Sequence, residues 1–327
     1  MPMYFKNQTK PVLYHAISSY QLLEAVLHRQ KYHKNCPAIL ILPDFIVQKY
    51  PHVRRLVTKG FFDKVCLFEY LKISHTNKAE VLSRVLECTE RILPFSLYDF
   101  KEIYVLGAHF YFTLGLIHLK IPFTFFEDAA GFYSKGRLLY ENLLKSYPIH
   151  AQIAKSEGLF CGQNPFIKQI VLLKRAQACD VSSTKFIDFD LQNELLKLDA
   201  KTLKRVISLF VKRRIKAKGD AILLTQNFYG QKLLSKSGQV SLYKSLAYGP
   251  LSNKKLVIKP HPDDFIDYTR VFKGAKIIKK RFPAELLPYI LKDYPKTLYT
   301  FDSSSYLCLT RHFDVIKLKG GAGIGPK

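Results

Sequence analysis

Short unbroken apolar runs alternate along the chain with longer stretches in which apolar residues recur at helical spacing. Residues 12–15, 38–42, 65–68, 102–107 and 123–126 read as strands, and residues 20–29, 78–93 and 110–119 as helices between them. Strands alternating with helices predict a parallel, doubly wound α/β sheet. Residues 137–146, 165–178 and 190–211, with breaks, read as a mainly helical insertion. The basic segment 212–220 then precedes a second strand-like run, residues 221–227. The pattern divides the chain into an N-terminal domain, residues 1–211, and a C-terminal domain, residues 219–327.

In the C-terminal domain the strand Leu256-Val257-Ile258 leads into Lys259-Pro260-His261-Pro262. His261 therefore sits at a strand's carboxyl end, where ligands collect in open α/β sheets, and the flanking prolines stiffen its loop. Pro283-Ala284-Glu285 follows, with Leu286, Leu287 and Ile290 as the apolar face of a helix that would project the Glu285 carboxylate from its N-terminus. An acceptor-only group there can hold a pair of ribose hydroxyls. Residues 297–301 read as a strand and 306–309 as a helix start. The Ser303, Ser304 and Ser305 between them suit an anion, since N–H groups and the helix dipole converge on such a turn. A bare N-cap needs only one serine.

In the N-terminal domain the strand Phe123-Thr124-Phe125-Phe126 runs straight into Glu127-Asp128-Ala129-Ala130-Gly131. This acidic pair is either a helix cap or a catalytic carboxylate at a strand end. His15 closes the first strand as a loop histidine or a cleft-lining one, with Ser18 or Ser19 as the N-cap after it. Asp263 and Asp264 read as first-turn acids of a helix. Gln226, ending the strand 221–227, faces either its own loop or a nucleotide. Asp188-Phe189-Asp190 has the spelling of a metal-binding motif without its context, and no glycine-rich phosphate loop is present.

The His-Pro pair, the Pro-x-Glu and the serine pair, in this order and preceded by an acidic pair near a glycine, resemble the motifs of bacterial sialyltransferases. The lipooligosaccharide, capsule and polysialic acid enzymes are the relevant families. The resemblance implies a GT-B glycosyltransferase fold, with two Rossmann-like domains facing a cleft, and CMP-sialic acid as donor. Transfer would be inverting, without cofactor or metal, to a hydroxyl of a bacterial surface glycan. It implies Glu127, then Asp128, as general base and His261 as the acid that neutralises the leaving phosphate. Gln226, Lys259, Pro260, Glu285, Ser303, Ser304 and Ser305 would bind the donor. Two alanines inserted between the acidic pair and Gly131 depart from the family's pattern. Teichoic-acid polyol-phosphate transferases, which use CDP-polyols, also resemble the His-Pro and Asp-x-Ser-Ser stretches, and another CMP-activated acidic sugar is a further alternative.

Composition narrows the remaining classes. Of 327 residues 48% are hydrophobic, the proportion of a chain with real cores. Lys and Arg number 51 against 26 acidic residues, a net +25 that favours anionic partners. The basic residues are scattered and no nucleic-acid module is visible, so a nucleic-acid-binding protein ranks last. No signal-like N-terminus and no run of about 18 apolar residues occurs, which predicts a cytoplasmic location. Leu203, Val206, Ile207, Phe210 and Val211 recur at helical spacing among lysines and arginines. That stripe faces either a core or an anionic membrane at the inner face of the cell, where a lipid-linked acceptor would lie. Six cysteines without metal-site spacing read as reduced thiols.

Overall fold

The structure is a computed structural model that describes residues 10–50, 52–73, 77–107, 110–128, 133, 136–160, 162–173, 185–301 and 305–318. The chain divides into two compact units, Met1–Leu209 and Phe210–Lys327.

In the first unit β1 (Val12–His15), β2 (Ala38–Pro43), β3 (Lys64–Phe68), β4 (Glu102–Leu106), β5 (Phe123–Phe126), β6 (Ile167–Leu172) and β7 (Phe186–Asp188) form one sheet. It has seven strands in the order β3-β2-β1-β4-β5-β6-β7. Every pairing is parallel: β1 sets Val12 against Ala38 of β2 on one side and Glu102 of β4 on the other. All residues of β1, β2 and β5 are buried, as expected of strands covered on both faces. The helix Ser19–Tyr32 returns from β1, its N-terminus capped by Ser18, whose hydroxyl accepts from the Gln21 amide. Helix Lys78–Ile92 starts at Asn77, which accepts from the Glu80 amide at 2.9 Å, and buries Val81, Val85, Cys88 and Thr89 at helical spacing.

Two expectations change here, and an alternative left open for a third segment is narrowed. The segment 165–178, read as helical, contains the sixth strand instead, because Ile167-Lys168-Gln169-Ile170-Val171-Leu172 pairs with β5 and β7. His15 is a buried histidine and not a loop residue: its Nε2 lies 2.8 Å from the Tyr70 hydroxyl and its ring stacks on Phe112. Of the apolar stripe on helix Ala200–Phe210, Val206, Leu209 and Phe210 are buried, as the core alternative expects. Arg205 lies over the Phe61 ring at 4.9 Å and donates to the Lys59 carbonyl. The buried part of that face is not available to a bilayer. Among the described residues no helix is long and apolar enough to cross a membrane.

The second unit opens with β8 (Ile215–Lys216), followed by β9 (Ala221–Leu224), β10 (Leu256–Lys259), β11 (Lys276–Ile277), β12 (Leu291–Lys292), β13 (Thr297–Thr300) and β14 (Asp314–Lys317). Five of these make a parallel sheet in the order β11-β10-β9-β13-β14, and β8 pairs with β12 separately. The core gathers Leu223, Tyr243, Ile258, Tyr268 and Phe301 against helix Lys236–Tyr248. The helix expected after Pro283 is a 3-10 turn, Ala284–Leu286, continued by the short helix Leu287–Ile290.

Candidate functional site

In each of the two larger sheets the order in which strands are added reverses once, and such a switch point opens a crevice beyond the strands' carboxyl ends. In the first unit the reversal lies between β1 and β4. The residues beyond it are Gln21, in the first turn of the helix after β1, and Gly107, directly after β4. Gly107 has φ +76°, a backbone conformation that favours glycine, and a Cβ there would come within 3.1 Å of the Gln21 side-chain nitrogen and crowd it.

Glu127 and Asp128 leave β5 beside this point and have different surroundings. Glu127 is fully buried: its Oε1 accepts from the Leu173 amide at 2.6 Å and its Oε2 from the Tyr133 amide at 3.1 Å. Asp128 is half-buried, and its Oδ1 accepts from Gln21 Nε2 at 2.9 Å. Burial pushes the Asp128 carboxyl up to about 6, and the Gln21 hydrogen bond acts in the opposite direction. Gln21 is itself held, accepting from the Ile17 amide through Oε1 at 2.9 Å. Sequence reasoning passed over Gln21, whose only signal was its place three residues after the Ser18 cap.

In the second unit the reversal lies between β9 and β13. Lys259 ends β10 with its side chain buried, Nζ 3.1 Å from the Pro260 carbonyl and 4.8 Å above the Phe282 ring. Burial lowers the Lys259 ammonium to about 8, and the attraction of Glu285 opposes that fall. Glu285 is 2% exposed, so it does not project from a helix end as expected. Burial raises its carboxyl to about 7, against hydrogen bonds from its own backbone amide and the Ser305 side chain and the attraction of Lys259. Lys259, Glu285 and Ser305 thus come together from three parts of the sequence. Ser303 and Ser304 lie outside the described residues.

His261 follows in a half-buried loop, its amide donating to the Thr225 hydroxyl at 3.1 Å. Gln226 has its backbone fixed, the amide donating to the Tyr243 hydroxyl at 2.7 Å and the carbonyl accepting from Gln239 at 3.0 Å. Asp263 and Asp264 start no helix. Asp190 of the Asp-x-Asp spelling is the N-cap of helix Leu191–Leu196, accepting from the Gln192 and Asn193 amides. Among the described residues no group of three or more His, Cys, Asp or Glu is placed to hold a metal ion. Cys66, Cys88 and Cys308 are buried and Cys36 is half-exposed, while Cys161 and Cys179 lie outside the described residues.

No protein-family model matches the chain. A stretch of 144 residues is 26% identical to an uncharacterized protein of Haemophilus influenzae, covering 43% of this chain and 47% of that protein. The match therefore spans about half of the relative's length. Among solved structures, the α/β-galactoside α-2,3-sialyltransferase of the luminous marine bacterium Photobacterium phosphoreum aligns with a TM-score of 0.54 at 12% identity, over 95% of this chain and 90% of that one. Medicago truncatula UGT71G1 complexed with UDP-glucose aligns with a TM-score of 0.56 at 11% identity, over 96% of this chain and 81% of that one. Arabidopsis thaliana UGT89C1 complexed with UDP-L-rhamnose gives 0.53 at 11%, over 94% and 78%. The chain has the α/β GT-B glycosyltransferase fold, with two Rossmann-like domains built on parallel sheets.

Proposed function

We propose that this chain is an inverting glycosyltransferase that takes a CMP-activated acidic sugar, sialic acid first among them, and delivers it to a hydroxyl of a bacterial surface glycan. The observation that carries the reading is the meeting of Lys259, Glu285 and Ser305 beside the His-Pro loop, at the carboxyl edge of the second sheet. One residue from each of three motifs, at positions 259, 285 and 305, meets at a strand-end crevice of the kind that binds ligands in open α/β sheets, which supports the reading.

On the acceptor side, the order of the two acids is reversed from the sequence expectation. Glu127 is fully buried with both oxygens taken by backbone amides, which suits a structural tie. Asp128, half-buried and raised to about 6, suits a general base that is ionised at neutral pH and still basic enough to take a proton. The acceptor oxygen would form its bond to the anomeric carbon as its proton passes to Asp128. The bond from that carbon to the CMP phosphate breaks, its electron pair staying on the phosphate oxygen, and the His261 Nε2–H would donate a hydrogen bond to that oxygen. Glu285 would accept from the ribose hydroxyls, and Ser303 and Ser304 would donate to the phosphate. No step in this scheme calls for a metal or a cofactor.

A thermal-shift panel of CMP, CDP, UDP and GDP, run in EDTA, tests the donor assignment, because a ligand that binds only the native state raises its stability by mass action. CMP should give the largest shift. A larger shift with CDP would favour the polyol-phosphate transferase reading, and a shift with UDP or GDP alone would overturn the donor class.

A further inference from the structure

Asp264 is the centre of a hydrogen-bonded cluster beneath the His-Pro loop. Its Oδ2 accepts from the Thr225 hydroxyl at 3.2 Å, from Gln239 Nε2 at 3.0 Å and from the Tyr268 hydroxyl, while its Oδ1 accepts from the Ile266 amide at 3.0 Å. Gln239 and Tyr268 are fully buried, so these donors have no ready exchange with water.

The direction of each bond follows from the groups. A carboxylate only accepts and a backbone amide only donates. The Thr225 hydroxyl between Asp264 and the His261 amide must therefore give its proton to Asp264 and accept from His261, at 3.1 Å. On the other side the Asp264 amide donates to the His261 carbonyl at 3.0 Å and closes a turn. Within that turn the Asp263 amide donates to His261 Nδ1 at 3.2 Å, and the Asp263 carbonyl accepts from Asn227 Nδ2 at 2.8 Å. A ring whose Nδ1 accepts carries its proton, when neutral, on Nε2.

We propose that Asp264 is a positioning residue: through Thr225 on one side and the 261–264 turn on the other, it fixes the backbone and the Nε2–H tautomer of His261. The catalytic consequence rests on the reading of His261 as partner of the leaving phosphate; the tautomer does not depend on that reading. Asp264 touches no substrate in this scheme. Its effect is to keep the ring nitrogen that bears the proton turned away from the loop backbone.

The test uses the full chain with ¹⁵N-labelled histidine, the His261 ring signals being assigned by His261→Gln. Wild type should show the Nε2–H tautomer. Asp264→Asn and Thr225→Val, each checked for folding by circular dichroism, should shift His261 toward the Nδ1–H form, and Thr225→Ser should restore the wild-type pattern. With CMP-sialic acid, the two disruptive variants should lose roughly 10- to 100-fold in kcat, the scale of a small misplacement of a catalytic group, with KM changed far less. A wild-type ring in the Nδ1–H form, or an unchanged tautomer in both folded variants, would overturn the proposal. Should Asp264→Asn not fold, the Thr225→Val and Thr225→Ser pair decides. If the tautomer behaves as stated while CMP does not bind and CMP-sialic acid is not turned over, the donor reading fails and the positioning stands.

Discussion

Gln21 Nε2 donates to Asp128 Oδ1 across 107 residues of sequence, joining the first helical turn after β1 to the residue that leaves β5. The bond stabilises the ionised carboxylate that burial opposes, and the balance leaves the carboxyl near 6. If Asp128 is the base, the acidic limb of the kcat profile should fall near that pH. Gln21→Met removes the donor, so the limb should move to higher pH. An acidic limb unmoved in Gln21→Met would show that another group sets it.

The same carboxyl makes a stability prediction of opposite sense. Its folded pKa lies above the ordinary 3.8, so the native state keeps a proton that the unfolded chain loses. The stability it contributes is present below about 3.8 and is lost as pH rises through about 6. Asp128→Asn should therefore melt higher than wild type at pH 8 and no higher at pH 4, while turnover falls by about two to four orders of magnitude. Equal melting temperatures at both values would mean that the carboxyl is not raised.

Glu127 should behave in the other way. Removing its carboxylate leaves the Leu173 and Tyr133 amides without the oxygens they now meet. Unsatisfied buried donors cost roughly 1–3 kcal/mol each, so Glu127→Ala should lose on the order of 3 kcal/mol or more in urea titrations. Asp128→Ala, in a half-buried position, should lose far less. Near-wild-type stability in Glu127→Ala would return it to candidacy as the base.

Much of the fold was legible because strands buried on both faces leave an unmistakable trace. Val12–His15 and Phe123–Phe126 are strands with the very ends the hydrophobic runs suggested. Residues 165–178 misled because in Ile167–Leu172 the polar Lys168 and Gln169 break the apolar run, so the segment shows no strand period and is a strand only because its neighbours pair with it. The helix after Pro283 shrank to a 3-10 turn and one short helix, since its apolar residues fill the core without a long amphipathic face. The split between Glu127 and Asp128 was invisible in sequence: adjacent residues of the same chemistry differ only in which backbone amides the fold brings to them. The partners of Asp264 come from Thr225, Gln239 and Tyr268, a convergence that no spacing rule contains.

A histidine in the first unit predicts how the fold responds to acid. His28 is buried among Tyr14, Tyr104, Phe126 and Phe189, its Nδ1 2.8 Å from the Tyr14 hydroxyl. Burial lowers it from an ordinary 6.5 to about 3, with His33 and Lys31 acting in the same direction. Between those values the unfolded chain binds a proton that the native state refuses. Stability is complete above 6.5 and declines as pH falls toward 3. At pH 5 the loss should be roughly 2 kcal/mol, and His28→Phe should flatten this part of the profile. A profile from pH 7 to pH 5 that is identical in wild type and variant would remove His28 as the cause.

Lys259 and Glu285 bear on the donor side, and both titrate close to neutrality. Burial moves each toward its uncharged form, the lysine down to about 8 and the glutamate up to about 7, and each resists through the attraction of the other. A ribose diol donates two protons and needs the carboxylate, so nucleoside affinity should rise as pH increases through about 7. Cytidine is the better probe, since a nucleotide phosphate titrates near 6 and would blur the signal. Calorimetry from pH 6 to 8.5 should show this rise in wild type. It should show none in Glu285→Gln, whose side chain does not titrate. Lys259→Met removes the countercharge, so the rise should move to higher pH, because the buried carboxyl then ionises with less help. Cytidine affinity that ignores pH in wild type, or the same rise in Glu285→Gln, would separate Glu285 from the ribose.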